Sequence, residues 1–183
     1  MKDGVLILAP HGRDAATAAT LLARNAITSR ICLDQADLVE QLSQGAGAVL
    51  VTEEALASAE PHALAAWVAD QPTWSDIPFV VLANGSRSPR SVAATERLAE
   101  LGNVVLLERP LHAEAMLGAV RSSLKATARQ YQVRDAAILS AAQTRILELA
   151  VSEGALKPTL EALIREVEDL SRAGVRASIL LLD

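Results

Sequence analysis

Short apolar runs alternate with amphipathic segments in the first part of the chain. Five runs have the length of strands: Val5 to Ala9, Ile27 to Leu33, Ala48 to Thr52, Phe79 to Ala83 and Val104 to Leu107. Four of them are nearly continuous in Val, Ile, Leu and Ala, which is typical of strands buried on both faces of a parallel sheet. The second run is mixed with Thr28, Arg30 and Cys32, and this mixing indicates an exposed edge strand.

Between these runs, apolar residues recur at the spacing of amphipathic helices. Four helices are predicted there: Ala15 to Ala26, a helix capped by Asp34 that includes Leu38 and Leu42, one around Leu64 to Val68, and Val92 to Leu101. This alternation predicts an α/β domain with a doubly wound, five-stranded parallel sheet and right-handed crossovers. We expect the strand order 2-1-3-4-5, because it places the mixed second run at an edge.

A long helical segment follows Pro110. Residues 111–151 contain a single glycine, Gly118, and no proline, and apolar residues recur along them at helical spacing. A helix of about 40 residues extends for about 60 Å, so we expect its far half to meet another chain or domain. The alternative is two helices that are broken near residues 132–135.

A parallel homodimer through this long helix is the predicted assembly. The alternative is that the segment Leu160 to Leu170 folds back within the chain and covers the apolar face of the long helix. The residues expected in the dimer helix share one apolar stripe, and they are Leu124, Tyr131, Ile138, Ala142, Ile146 and Leu149.

The remaining residues predict part of a second α/β domain. Pro158 suits the first turn of a new amphipathic helix, and Ser178 to Asp183 has the apolar pattern of a strand. Because this strand would have no partner after it, we expect the chain to end inside that domain. The expected division is residues 1–128 for the α/β domain, 129–152 for a signalling or coiled-coil helix, and 153–183 for the partial domain.

Composition excludes several classes of function. The formal net charge is -5 and aromatic residues make up 2%, which argues against a nucleic-acid surface. A single cysteine, Cys32, allows neither a disulfide framework nor a cysteine-rich metal site. We find no secretory signal and no apolar run of about 18 residues, so the sequence predicts a cytoplasmic protein without membrane insertion.

Candidate chemistry lies at the carboxyl ends of the predicted strands, where ligands bind in open α/β sheets. The residues placed there are Pro10, His11, Thr52, Glu53, Glu54, Ala83, Asn84, Arg109 and Pro110. Glu53 and Glu54 are paired carboxylates of the kind that do acid/base work. We expect instead that one of them forms a structural ion pair with Arg109.

Over residues 4–128 the chain resembles the receiver domain of response regulators. The residues that carry the resemblance are Ile77-Pro78-Phe79-Val80-Val81-Leu82 and the Arg109-Pro110 step. It implies a flavodoxin-like fold and a cis bond before Pro110. It also implies an acidic pair that holds Mg²⁺, an aspartate that accepts a phosphoryl group, a hydroxyl residue after the fourth strand, and a lysine before the proline.

This chain departs from that pattern at each of these positions. Pro10 and His11 replace the acidic pair, and they offer no carboxylate to Mg²⁺, which prefers oxygen ligands. Thr52 replaces the acceptor aspartate, and a hydroxyl cannot form an acyl phosphate. Ala83 and Arg109 replace the hydroxyl residue and the lysine. We therefore expect a degenerate receiver with no catalytic residue, no metal and no cofactor.

From Ile146 to Asp183 the chain resembles the opening of a GAF domain. A receiver-like domain, a long helix and a GAF domain in series are similar to the N-terminal part of a bacterial sensor histidine kinase. This similarity implies a non-enzymatic signalling module, with downstream GAF and kinase domains of the same chain as partners. The alternatives are a sensor of a small molecule or anion that uses His11, Glu53 and Arg109, the pseudo-receiver of an antitermination-type regulator, and a flavodoxin-like enzyme.

Overall fold

The computed structural model describes residues 3–57, 62–85, 90–151, 156–170 and 176–179. The chain divides into two compact units, Met1–Tyr131 and Gln132–Asp183. We call them unit 1 and unit 2, and we describe each by itself.

Unit 1 is built on a five-stranded parallel sheet with the order β2-β1-β3-β4-β5. The strands are β1 (Val5–Leu8), β2 (Ser29–Ile31), β3 (Ala48–Thr52), β4 (Phe79–Ala83) and β5 (Val104–Glu108). Every residue of β1, β3 and β4 is buried, whereas β2 is partly exposed at the edge. The predicted fold class, strand order and edge strand are therefore confirmed.

The helices of unit 1 lie between the strands, as predicted, with one addition. They are α1 (Asp14–Arg24), α2 (Gln35–Ser43), α3 (Glu53–Ala57), α4 (His62–Ala69), α5 (Val92–Glu100) and the first part of α6 (Ala113–Val151). The predicted cap of α2 is confirmed, because the Asp34 side chain accepts a hydrogen bond of 2.8 Å from the Asp37 N–H. Helix α3, which begins directly after β3, was not predicted.

Two apolar clusters cover the two faces of the sheet. On one face, α1 and α6 pack through residues such as Leu22, Leu117 and Val120. On the other face, Leu38 of α2 and Leu64 of α4 pack against β1, β3 and β4. Cores of this size stabilise a fold because burying one large aliphatic side chain contributes roughly 1.5–3 kcal/mol.

Cys32 belongs to the second of these clusters and is 3% exposed. Burial is the main reason that the pKa of its thiol rises to about 11. The thiolate is the reactive form of cysteine, so Cys32 acts as a packed apolar residue.

Helix α6 is held against unit 1 by polar contacts near Tyr131. The buried Thr127 hydroxyl donates a hydrogen bond of 2.7 Å to the Gly47 carbonyl. The Gln130 amide donates to the Asp76 carbonyl at 3.0 Å and accepts from the Asp76 N–H at 3.1 Å. We call these contacts the α6 anchor. The helix is continuous through residues 132–135, so the predicted long helix is correct and the alternative of a break there is wrong.

Unit 2 contains the rest of α6 and α7 (Leu156–Leu170). The two helices are joined by Arg145, whose guanidinium donates to both carboxylate oxygens of Glu166 at 2.6 and 2.8 Å. Ala142 is 1% exposed. This is the fold-back that the sequence analysis gave as the alternative cover for the far part of the apolar stripe.

The predicted terminal strand is not seen in the residues that can be described. Residues 176–179 are neither helix nor strand, and residues 180–183 lie outside the described residues. The expected boundary at residues 152–153 also falls in a gap of the described chain. Among the helices that the structure describes, none is long and apolar enough to cross a membrane.

Candidate functional site

A cavity of about 260 Å³ lies at the carboxyl ends of the strands of unit 1. It is lined by His11, Gly12, Asp14, Thr52, Glu54 and Arg109. Four of these residues, His11, Thr52, Glu54 and Arg109, are among those predicted at the strand ends. Gly12 and Asp14 were not predicted there.

Pro10, Glu53 and Ala83, which were also predicted at the strand ends, lie outside the lining of the cavity. Pro10 is exposed and Ala83 is fully buried. The Ala83 carbonyl accepts a 3.1 Å hydrogen bond from the Arg109 N–H, which ties the end of β4 to the residue after β5. Glu53 interacts with Arg90 instead, as described below.

Thr52 has a structural role at the end of β3. Its side chain is 4% exposed, and its hydroxyl oxygen accepts a 3.3 Å hydrogen bond from the Ala55 N–H. This is an N-cap contact, in which a side-chain oxygen satisfies a free N–H at the start of a helix. The residue in the acceptor position of the resemblance therefore caps α3.

Arg109 pairs with Asp14 at the start of α1. This corrects the expectation that Glu53 or Glu54 would form its ion pair. Both partners are more than a third exposed, with side-chain exposures of 38% and 43%, and pairs of this kind contribute about 0–1 kcal/mol. The pair therefore fixes the direction of the guanidinium more than it stabilises the fold.

Glu53 forms an ion pair with Arg90 rather than with Arg109. Its carboxylate accepts a 3.2 Å hydrogen bond from Arg90, and Arg90 also contacts Glu108 at 3.3 Å. Arg90 thus links the start of α3 to the end of β5. Because the side chain of Glu53 is used there, it does not contribute to the cavity.

Glu54 enters the cavity and is held by Asn84, whose amide donates a 2.6 Å hydrogen bond to its carboxylate. Partial burial by itself raises the pKa of Glu54. Hydrogen bonds from its own backbone, Asn84 and Thr52, together with the charge of Arg109, outweigh that effect and lower the pKa below its usual value of 4.5.

We predict that Glu54→Gln weakens the dependence of stability on pH in acid. A carboxyl group whose pKa is lower in the folded state contributes stability above its unfolded pKa, near 4.5, and loses it as the pH falls through the folded pKa. The free energy of unfolding should therefore fall less steeply with acid in the variant than in the unmodified protein. Urea denaturation at a series of pH values measures both slopes, and identical slopes would contradict the prediction.

Gly85 and Arg109 approach each other closely after β4 and β5. A Cβ atom at position 85 would overlap the Arg109 carbonyl oxygen, so only glycine fits there without movement of the backbone. The Arg109-Pro110 bond is cis, which confirms the expectation drawn from the resemblance.

A second cavity of about 340 Å³ lies between α1 and the start of α6. Asp14 and Arg109 line this cavity as well as the first one. The rest of its lining is mostly apolar and includes Ala18, Leu21, Leu82, Leu111 and Met116. The Arg109–Asp14 ion pair therefore borders a polar cavity and an apolar one.

Carboxylates do not gather in the way that a divalent cation needs. Asp14 and Glu54 are the acidic residues in the described lining of the first cavity, and they bond to Arg109 and Asn84. Over the described parts of the chain, no group of three His, Cys, Asp or Glu residues is arranged to hold a metal ion.

The six residues of the predicted dimer helix have different surroundings. Leu124 packs against the core cluster of unit 1, and Tyr131 lies against Trp74 with ring centroids 5.3 Å apart. In unit 2, Ala142 is buried, Ile146 is half-buried and Ile138 is 44% exposed. The side chain of Leu149 lies outside the described residues.

The similarity of this chain to known proteins lies in its fold. Neither protein-family models nor curated proteins match the sequence. The chain is similar to the signal receiver domain of a protein described as a Luxo repressor from Vibrio parahaemolyticus, with a TM-score of 0.55 and 15% identity, covering 73% of this chain and 98% of that one.

Two longer solved structures are also similar. FixJ from B. japonicum gives a TM-score of 0.56 at 16% identity and covers 94% of this chain and 88% of that one. NtrX from Brucella abortus, in complex with ADP, gives a TM-score of 0.58 at 14% identity, and this chain spans only 42% of its length. With its parallel sheet in the order 2-1-3-4-5, the chain has the flavodoxin-like fold of response-regulator receiver domains.

Proposed function

We propose that this chain is a non-enzymatic signal-transduction module, in which a receiver-fold unit that takes up no phosphoryl group acts through protein contacts and through α6. We further propose that it belongs to a bacterial sensor kinase and that a GAF domain begins near residue 153. The receiver fold supports the signalling role. The resemblance in residues 146–183 supports the kinase context.

The position of Thr52 is the observation that carries this proposal. In the resemblance, a carboxylate at this position attacks the phosphorus, and a threonine hydroxyl needs a base to do so. Here the hydroxyl oxygen is 3.3 Å from the Ala55 N–H and accepts its hydrogen bond at the start of α3. Thr52 is also only 4% exposed where it lines the strand-end cavity.

The surroundings of Thr52 favour the same conclusion. His11 stands where the resemblance implies a ligand of Mg²⁺, and Asp14, the nearest acidic residue along the chain, pairs with Arg109. The charge that would offset a phosphoryl group is thus already balanced by a carboxylate.

We expect no phosphoryl adduct after incubation with acetyl phosphate and Mg²⁺, measured by intact-mass spectrometry. The matched variant carries Pro10→Asp, His11→Asp and Thr52→Asp, which restores the acidic pair and the acceptor. Aspartate is also a good N-cap, so α3 should persist. An adduct in the variant alone would assign the loss to these three positions, whereas an adduct on the unmodified protein would refute the proposal.

Output through α6 is supported by the α6 anchor. Thr127 and Gln130 fix the helix to unit 1 through main-chain atoms of Gly47 and Asp76. Contacts with main-chain atoms of the loops transmit a shift of those loops to the helix. We propose that α6 carries this shift to the domain that follows.

We also propose that the signalling form is a homodimer that joins through the far part of α6. Two neighbouring apolar side chains of that part, Ile138 and Leu139, are 44% and 48% exposed. Exposed apolar residues grouped on one helix are typical of interaction surfaces. A second copy of α6 is the simplest partner, because it brings the same apolar residues.

The alternative of an anion sensor at the strand ends is less well supported. Arg109 is the cation that would attract the anion, but Asp14 already pairs with it. Glu54 adds a second negative charge to the lining of the same cavity. An anion would have to displace one carboxylate and approach another.

A further inference from the structure

A third cavity lies at the opposite end of the sheet, and it collects most of the aromatic residues of the protein. Its volume is about 300 Å³. Trp67, Trp74 and Tyr131 line it, and they are both tryptophans and the only tyrosine of the chain. Leu42, Ala46 and Ile77 also line it.

The walls of this cavity are fixed by hydrogen bonds. The loop that carries Trp74 is tied by Gln71, whose side-chain oxygen accepts hydrogen bonds from the Ser75 hydroxyl at 3.2 Å and the Ile77 N–H at 3.1 Å. The α6 anchor ties the same loop to the helix that carries Tyr131. A pocket with fixed walls binds a ligand without first ordering its own residues.

This cavity differs in charge from the two cavities at the carboxyl ends of the strands. Both of those are bordered by the Arg109–Asp14 ion pair. Among the described residues that line the third cavity, none is charged. An ionic ligand would lose its hydration there without gaining a partner, and this is costly. A neutral ligand is therefore favoured.

The size and the lining of the cavity restrict the class of ligand further. Ligand pockets begin at about 300 Å³, and an apolar cavity of about 150 Å³ holds one benzene molecule. A cavity of about 300 Å³ thus has room for two fused rings. Aromatic side chains favour offset or edge-to-face contact with another ring, and the rings of Trp74 and Tyr131, which line the cavity, are tilted by 53° relative to each other.

We propose that this cavity is a binding site for a small, neutral, bicyclic aromatic or heteroaromatic molecule. The rings of Trp67, Trp74 and Tyr131 contact its faces and edges. This site goes beyond the proposed function and does not depend on it. Because Tyr131 and Thr127 belong to α6, a molecule in the cavity also touches that helix.

Tryptophan fluorescence tests the proposal directly, since both tryptophans of the protein line the cavity. Titration of the full chain with benzimidazole at a pH where this probe is neutral should change the emission along a saturable curve. A change that rises linearly up to millimolar concentration, as in collisional quenching of free tryptophan, would overturn the proposal.

Variants identify the site and the ligand class. Tyr131→Ala removes a ring from the helix surface and should weaken binding of benzimidazole at least tenfold, whereas Leu33→Ala, at a residue that is 83% exposed, should leave it unchanged. Calorimetry gives the same comparison for Trp67→Leu, and circular dichroism checks that each variant is folded. Unchanged affinity in folded Tyr131→Ala and Trp67→Leu would overturn the site.

A charged analogue tests the neutral character of the ligand. Benzimidazole-2-carboxylate has the same two rings and one negative charge, and it should bind at least tenfold more weakly than benzimidazole. Equal affinity of the two probes would overturn the assignment of a neutral ligand.

Discussion

Replacing Gly85 with alanine is expected to lower the free energy of unfolding by about 1–3 kcal/mol, the usual range for an added group in a filled space. The new methyl group would overlap the Arg109 carbonyl oxygen. Relief by movement is restricted, because the Arg109 N–H is bonded to the Ala83 carbonyl at 3.1 Å. Urea denaturation monitored by circular dichroism measures the change.

Gly118→Ala is the matched control for this experiment. Gly118 lies within α6, and a Cβ atom there would meet no atom within 4 Å. Alanine is favoured over glycine inside a helix by about 0.8–1.0 kcal/mol, so this variant should be more stable than the unmodified protein. The same substitution should thus change the free energy of unfolding in opposite directions at the two positions. A change in the same direction at both would contradict the close approach described for Gly85.

Replacing Ile138 and Leu139 with aspartate is expected to convert a dimer into a monomer. Both side chains are nearly half exposed on the far part of α6. In the proposed dimer they become buried, and burial of each such side chain contributes up to roughly 1.5–3 kcal/mol. Aspartates there would bring like charges together at the interface. Light scattering coupled to size-exclusion chromatography at micromolar protein concentration measures the mass.

The control for the dimer is Val133→Asp. Val133 is 69% exposed, and it lies five residues before Ile138, which places it about 140° away around the helix axis. This variant makes the same type of change on another side of α6 and should remain a dimer. An unmodified protein that is already a monomer at micromolar concentration would refute the dimer proposal. Unit 1 should keep its urea transition in both variants, because none of the three substituted residues belongs to it.

Two of the three central strands, β3 and β4, could be predicted from the sequence to the residue. Ala48–Thr52 and Phe79–Ala83 are continuous apolar runs, and each is preceded by glycine or proline. The edge strand was predicted as Ile27 to Leu33 but spans only Ser29–Ile31. An alternating run does not define its ends, because pairing with one neighbour decides where an edge strand begins.

Helix α3 carried a signal that could have revealed it. Threonine is a common N-cap residue, and Glu53 and Glu54 suit the positive end of a helix dipole. Read in this way, Thr52 begins a helix. Thr52 was instead interpreted only as the residue that replaces the phosphoryl acceptor, so its role as an N-cap was not predicted.

The partners of the cavity residues could not be predicted. Arg109 and Asp14 are 95 residues apart in the sequence, and nothing local indicates that they meet. Successive residues of a helix point about 100° apart, so Glu53 and Glu54 diverge towards Arg90 and Asn84. A pair of neighbouring carboxylates does not reveal which of them faces a cation.

The spacing of apolar residues in α6 predicted an apolar stripe, but it did not predict which part of the protein covers that stripe. Leu124 and Tyr131 are covered by unit 1, and Ala142 is buried in unit 2. The periodicity of apolar residues indicates that a helix has an apolar face. It does not indicate whether that face packs against a folded unit, a second helix of the chain or another copy of the protein. Ile138 and Leu139 are exposed in the structure, and the proposed dimer would cover them.

The attachment of α6 at two places limits which changes in chain length the protein can tolerate. Met116 packs beside the apolar cavity next to Arg109, and Thr127 bonds to Gly47 at the other end of the sheet. One residue inserted between them would rotate every later side chain by about 100° and advance it by about 1.5 Å. Thr127 and Gln130 would then miss their main-chain partners, so single insertions and deletions should be excluded from this segment, whereas homologues can vary in length beyond Tyr131.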